Sequence, residues 1–155
     1  MARAARLERI DEPVDPGNGR TAARLAKHVE LALALVDISL PQFRVLVILE
    51  QGSAAASALA STLAVSPPSV TALVDGLVAR GLVERRPVTG DRRRVAHVLT
   101  EKGKKVLAEA DAVLQDRFEE IAAFLPTRDR ARAINGLHLW HKAMDAFIQA
   151  NICND

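Results

Sequence analysis

The sequence predicts a mainly α-helical chain with one small β-hairpin, and three observations carry that prediction. Apolar residues recur at the spacing of half-buried helices over most of 20–148. Capping residues, prolines and a glycine fall where helices should begin and end. Two short runs on either side of Thr89-Gly90-Asp91 read instead as paired strands. A chain of 155 residues, 49% apolar and 26% charged, suits one domain. With four Phe, one Trp and no Tyr, its core must be built mostly from Ala, Leu and Val.

The elements follow in order. Residues 1–19, with Pro13, Pro16, Gly17 and Gly19, read as a flexible N-terminal arm with a helical turn around 2–10. A first helix is expected from about Arg20 to Asp37. Ser39 with Gln42 forms a capping box, Pro41 suits a first turn, and a second helix runs to about Glu50. Leu59, Ala60, Leu63 and Val65 give a short third helix that stops at Ser66. Ser66 is an N-cap and Pro67 sits where a missing N–H is tolerated. Val70, Leu73, Val74, Leu77 and Val78 then form the buried side of a fourth helix, and Gly81 ends it. Residues 82–86 pair with 95–99. Thr100 caps a long helix to about Phe124, with Val106, Leu107, Ala110, Val113, Leu114, Phe118 and Ile121 on one face. Pro126 breaks it and Thr127 caps the last helix, whose apolar stripe is Ile134, Leu137, Trp140, Met144, Phe147 and Ile148.

Two short helices, a hairpin and a capped third helix in that order make a winged helix-turn-helix, a device for reading duplex DNA. The fourth helix has an opposite face of Pro68, Ser69, Ala72 and Gly76, with Thr71 and Asp75 alongside. Ser69 and Thr71 can exchange hydrogen bonds with base edges, and Ala72 can touch a thymine methyl. Bulk charge is uninformative, at 21 basic against 19 acidic residues. Yet six arginines (80, 85, 86, 92, 93 and 94) face only Glu84 and Asp91 between positions 80 and 94. Such a basic ribbon beside a recognition helix suits phosphates and a narrow minor groove. Arg85, Arg86, Asp91, Arg92, Arg93 and Arg94 therefore join Pro68, Ser69, Thr71 and Ala72 as expected DNA-binding residues.

Gln42-Phe43-Arg44-Val45-Leu46, Leu59-Ala60, 65–71, 77–85, Asp91-Arg92-Arg93 and Leu99-Thr100-Glu101-Lys102-Gly103 together resemble the MarR family of bacterial transcriptional regulators. The similarity covers about 21–148, and the D-x-R wing followed by L-T-x-x-G is its most specific part. The resemblance implies a homodimer with one winged helix per subunit, and repression relieved by a small molecule or oxidant. It implies that Arg93 enters the minor groove, oriented by Asp91, and that Pro68, Ser69 and Ala72 contact base or backbone. Two positions depart from the family. Position 72, often long and polar or basic, is Ala72. Position 76, often basic, is Gly76, which costs a helix interior about 1 kcal/mol against alanine. The departures shift specificity towards the wing and DNA shape.

In domain terms, 20–148 form a single unit. Residues 20–38 and 104–148 are mainly dimerisation helices, 39–103 the winged helix-turn-helix, and 149–155 a tail. The expected partners are a palindromic DNA operator, a second copy of the chain and a phenolic or aromatic-acid effector. The resemblance implies that such an effector lies between the dimer helices and the winged helix, where His28, Gln42 and Arg44 are the candidate polar groups; Arg44 can pair a carboxylate or phenolate, or equally cover the dimer or bond a helix end. The alternatives are an effector-independent architectural DNA binder and a protein-interaction module.

No cofactor is expected. His138 and His141, with Asp145 four residues on, have a spacing that can share a metal, but no full ligand set accompanies them, so no metal is expected. Cys153 lies beside acidic groups that raise a thiol pKa, which disfavours redox sensing. No phosphate loop, strained nucleophile turn or facing carboxylate pair is present, so an enzyme is not expected. The longest apolar run, 31–36, is too short to span a bilayer and the N-terminus lacks a signal-peptide core, so a cytoplasmic location is expected.

Overall fold

The computed structural model describes residues 17–88 and 91–152, with side chains described except at 91–94, 148–149 and 151–152. Six helices and three strands follow in the order α1 (Gly17–Leu33), α2 (Leu40–Glu50), β1 (Ala54–Ala55), α3 (Ala56–Leu63), α4 (Pro67–Ala79), β2 (Val83–Val88), β3 (Asp91–Leu99), α5 (Glu101–Ala122) and α6 (Thr127–Ile152). The mainly α fold with a small wing is thus as the sequence predicts. The expected turn residues Thr89 and Gly90, residues 1–16 of the expected arm, and Cys153 lie outside the described residues.

Local sequence accounts for most boundaries. Ser39 and Gln42 make the reciprocal capping box at α2, the Ser39 hydroxyl accepting from the Gln42 N–H and the Gln42 side chain accepting from the Ser39 N–H. Ser66 caps α4 and Thr100 caps α5. The first helix differs from expectation at both ends. It already includes Gly17, ahead of the expected Arg20. It narrows to a 3₁₀ turn at Ala34–Val36 and closes at Asp37 with φ 55°. Val65, expected on the apolar face of α3, is instead 38% exposed, because α3 has already ended in a left-handed turn at Ala64.

The three strands form one antiparallel sheet in the order β1-β3-β2. Val83 pairs with Leu99, Arg85 with His97 and Pro87 with Val95. Burial fades along this face, from buried Val83 and Leu99 at the closed end to exposed Pro87 and Val95 towards the tip. The two-residue β1 was not legible beforehand. It pairs Ala54 with His97 and Ala55 with Ala96, and the buried His97 donates its Nδ1–H to the Ala54 carbonyl at 3.1 Å.

Two apolar clusters organise the interior. The larger unites Val45, Leu46 and Leu49 of α2, Leu59 and Leu63 of α3, Val70, Val74 and Leu77 of α4, and Leu107 of α5. The smaller joins Ala32 and Leu33 of α1 to Ala110 and Leu114 of α5. Val36 and Phe43 pack against both, so the terminal helices and the helix-turn-helix are mechanically continuous. Beyond these clusters α6 packs along α5 but leaves Leu139 66%, Trp140 70% and Met144 54% exposed.

Gly76 is dispensable to this packing. A methyl group there meets the Gln42 Nε2 at 3.7 Å, an ordinary contact. Gly76→Ala is therefore expected to stabilise the fold by about 0.5–1 kcal/mol through helix propensity. Thermal melting checks this, and a lowered melting temperature would contradict it.

Candidate nucleic-acid interface

The α3 and α4 axes bend by 112° across the short turn at 64–66, within the range of a helix-turn-helix. Val70, Val74 and Leu77 anchor α4 in the core, so its other side is held outward. Pro68, Ser69, Thr71 and Ala72 are all exposed on that side, together with Asp75. The structure thus gathers the four helix residues singled out from sequence onto one surface.

The start of α4 has little backbone left for phosphate. Helix N-termini often bind anions through free N–H groups. Here Pro67 and Pro68 have none, the Ser69 N–H is directed to the Ser66 hydroxyl, and the Val70 N–H to the Ser66 carbonyl at 3.1 Å. Any contact made from this end therefore falls to side chains. The Ser69 hydroxyl shares a 2.8 Å hydrogen bond with Ser66, and Thr71 donates to the Pro67 carbonyl at 3.0 Å. Thr71 is left as an outward acceptor, whereas Ser69 can exchange its local partner for an external one.

The C-terminus of α4 is fixed from two sides. The Gly81 N–H reaches the Val78 carbonyl and the Leu82 N–H the Leu77 carbonyl, with Gly81 at φ 71°, a Schellman closure. Arg80 donates to the Asp37 carbonyl at 2.6 Å and pairs with its carboxylate, while Lys102 donates to the Arg80 carbonyl at 2.8 Å. The end of the first helix, the end of α4 and the start of α5 therefore meet at one node. Sequence reading counted Arg80 only as charge and missed this role, since no local pattern links positions 37 and 80.

Within the wing, Arg85 and Arg86 are not free cations. Arg85 pairs with Asp75 of α4, and Arg86 donates Nε to Glu84 at 2.7 Å. The remaining wing residues are described through the backbone alone. Pairing moves from Pro87↔Val95 to Val88↔Asp91, one step along β2 against four along β3, so the register skips Arg92, Arg93 and Arg94. A bulge of this kind bends a hairpin near its tip. The expected orientation of Arg93 by Asp91 lies outside the described side chains.

The expected effector residues are dispersed in role. His28 on α1 borders clefts shared with Arg24, Arg117 and Ile121, and its Nδ1 is buried without a partner among the described residues. Gln42 is engaged in the α2 capping box, and Arg44 is exposed. An adjoining apolar cleft of about 250 Å³ lies between α1, α5 and α6, shares Leu25 and Ile121 with the His28 cleft, and is lined further by Phe118, Leu125, Ile134 and Leu137 among others. His141 pairs with Asp145 at 3.4 Å, and no group of three or more metal-ligating side chains occurs among the described residues.

Comparison with known proteins places this architecture. The sequence profile of the MarR family matches residues 38–95. The structure of RV1404 from Mycobacterium tuberculosis is 30% identical with a TM-score of 0.71, over 81% of this chain and 88% of that one. The chain belongs to the MarR family. Apo MarR from E. coli is 25% identical with a TM-score of 0.68, over 82% of this chain and 97% of that one. The HTH-type transcriptional regulator YfiV of Bacillus subtilis (strain 168) is 28% identical over 71% of this chain and 69% of its own length. YhbI of the same organism is 36% identical, and this chain spans 55% of its length. MarR membership carries with it the role of a DNA-binding transcriptional regulator, not that of an enzyme. No single described helix is long and apolar enough to cross a membrane.

Proposed function

We propose that this MarR-family protein is a homodimeric repressor that reads a palindromic duplex operator and is released by a small aromatic acid or phenol. The observation that carries the DNA-reading part is the outward face of α4, where Pro68, Ser69, Thr71 and Ala72 stand exposed while the opposite face is locked in the core. In this reading α4 enters the major groove and Arg93, oriented by Asp91, enters the adjacent minor groove. Arg92 and Arg94 meet phosphates, and Arg85 and Arg86 support the wing.

Exposed apolar side chains support the dimer. Phe124, Trp140 and Met144 on and before α6 stand exposed, and the cleft between α1, α5 and α6 is apolar, side chains of the kind that a protein–protein interface covers. Twofold pairing places two recognition helices one helical turn apart on DNA, about 10 base pairs. An effector bound near His28 acts by changing that spacing through the contacts of Val36 and Phe43 with both clusters.

The wing is tested by Arg93→Ala, which is expected to cost about 1–3 kcal/mol of specific binding. Fluorescence anisotropy over a salt series reads it. Parental affinity at every salt concentration would remove Arg93 from the interface.

A further inference from the structure

We propose that Asp75 and Arg85 form a positioning pair that sets the angle between wing and recognition helix, and so governs specificity rather than binding strength. The inference rests on the DNA-reading assignment of α4 and the hairpin. Asp75 lies three and four residues beyond Ala72 and Thr71, so it continues the exposed stripe proposed to face the groove. A bare carboxylate there is repelled by phosphates. Its observed partner is Arg85.

The sheet explains why Arg85 is available. Side chains alternate along a strand, so Val83 and Arg85 share one face of β2 and Glu84 and Arg86 the other. The Val83 face is the core side, and Arg85 stands opposite buried His97. This directs its guanidinium along the edge of the core towards α4. Arg86, on the outer face, closes locally on Glu84. The Asp75–Arg85 pair spans the Schellman turn at Gly81 and braces the hairpin against the helix.

The side chains of Asp75 and Arg85 are 54% and 48% exposed. Pairs this exposed add little to stability, which leaves geometry as the pair's main contribution. Holding Arg85 also withdraws one cation from phosphate binding. Sequence-independent attraction is thereby reduced while the base-reading surface is kept in register.

Asp75→Asn separates these effects, because the amide keeps the shape and loses the ion pair. The variant and its parent are titrated against the duplex from the gene's own upstream region and a scrambled duplex, over a salt series. The expected result is a roughly threefold to fivefold fall in the ratio of native to scrambled affinity. Scrambled DNA should bind more tightly, with a salt slope steeper by up to about one as Arg85 is freed. The melting temperature should stay close to the parent's. Arg85→Lys should retain part of the preference and Arg85→Gln should not. An unchanged ratio and slope in Asp75→Asn would overturn the proposal. So would a slope flattened by about one in Arg85→Gln beside a neutral Asp75→Asn, since Arg85 would then be a phosphate contact. If the parent discriminates and Asp75→Asn discriminates equally, only the pair's role is lost. Should the parent bind neither duplex, the DNA-reading assignment falls and takes this inference with it.

Discussion

Gly103→Ala is expected to cost about 3 kcal/mol or more of stability and to lower the melting temperature by about 10 °C. A methyl group at that position would lie 2.1 Å from the Leu82 carbonyl oxygen and 2.8 Å from Leu99 Cδ1. The obstacle is backbone, so no rotamer change relieves it. The same Leu82 carbonyl accepts the Thr100 N–H at 3.1 Å, and the Thr100 hydroxyl accepts the Gly103 N–H at 2.9 Å. The first turn of α5, the hairpin and the segment leaving α4 therefore close on one another at this point. Pushing α5 away opens the cluster around Leu107 and tilts the wing against α4. Thermal denaturation checks the prediction, and a melting temperature within a degree or two of the parent would contradict the packing described.

The second large effect concerns assembly. If the chain assembles as the proposed homodimer, Trp140→Glu combined with Met144→Glu is expected to yield monomers and to weaken binding to the proposed operator by about 100-fold or more. Both side chains lie on α6 and are 70% and 54% exposed in the single chain. Burying each against a partner contributes about 1.5–3 kcal/mol, and twofold symmetry applies each change twice. Desolvating carboxylates in the same interface adds to the loss. A monomer holds one reading head and loses the second half-site. Sedimentation velocity reads the assembly state and anisotropy the affinity. Intact dimers in the double variant would place the interface elsewhere.

The helix ends show how far sequence reading reaches. Asp37, Ala64 and Gly81 all close helical segments in the same way, each with positive φ and with paired 5→2 and 6→1 hydrogen bonds. Only Gly81 was legible, because only glycine reaches that conformation without steric cost. Asp37 and Ala64 adopt it without glycine; Ala64 ends its helix short of the expected Ser66, whereas Asp37 closes the first helical segment at the expected position. The capping serines and Thr100 were legible because their partners lie three residues away. The pairing of 82–86 with 95–99 was legible from the two runs that flank Thr89-Gly90-Asp91, whereas the register of Val83 with Leu99 needed the fold.

What escaped reading depends on distance along the chain. The pairing of β1 with β3 joins two residues to a strand some 40 positions later, through an alanine-rich stretch that carries no strand signature. Arg80 with Asp37 and Arg85 with Asp75 likewise need the fold before they can be seen. Counting arginines found the basic segment but not that three of the six, Arg80, Arg85 and Arg86, are already paired. The L-T-x-x-G motif was visible as a resemblance, while its cause, the approach of Gly103 to Leu82, is visible only in three dimensions.

The most direct test of the central reading is DNA footprinting with the unmodified protein on the duplex upstream of its own gene, with scrambled DNA as competitor. Protection of two symmetric half-sites about 10 base pairs apart is expected, occupied by two chains and resistant to the competitor. Uniform protection abolished equally by scrambled DNA, or a single half-site holding one chain, would contradict it.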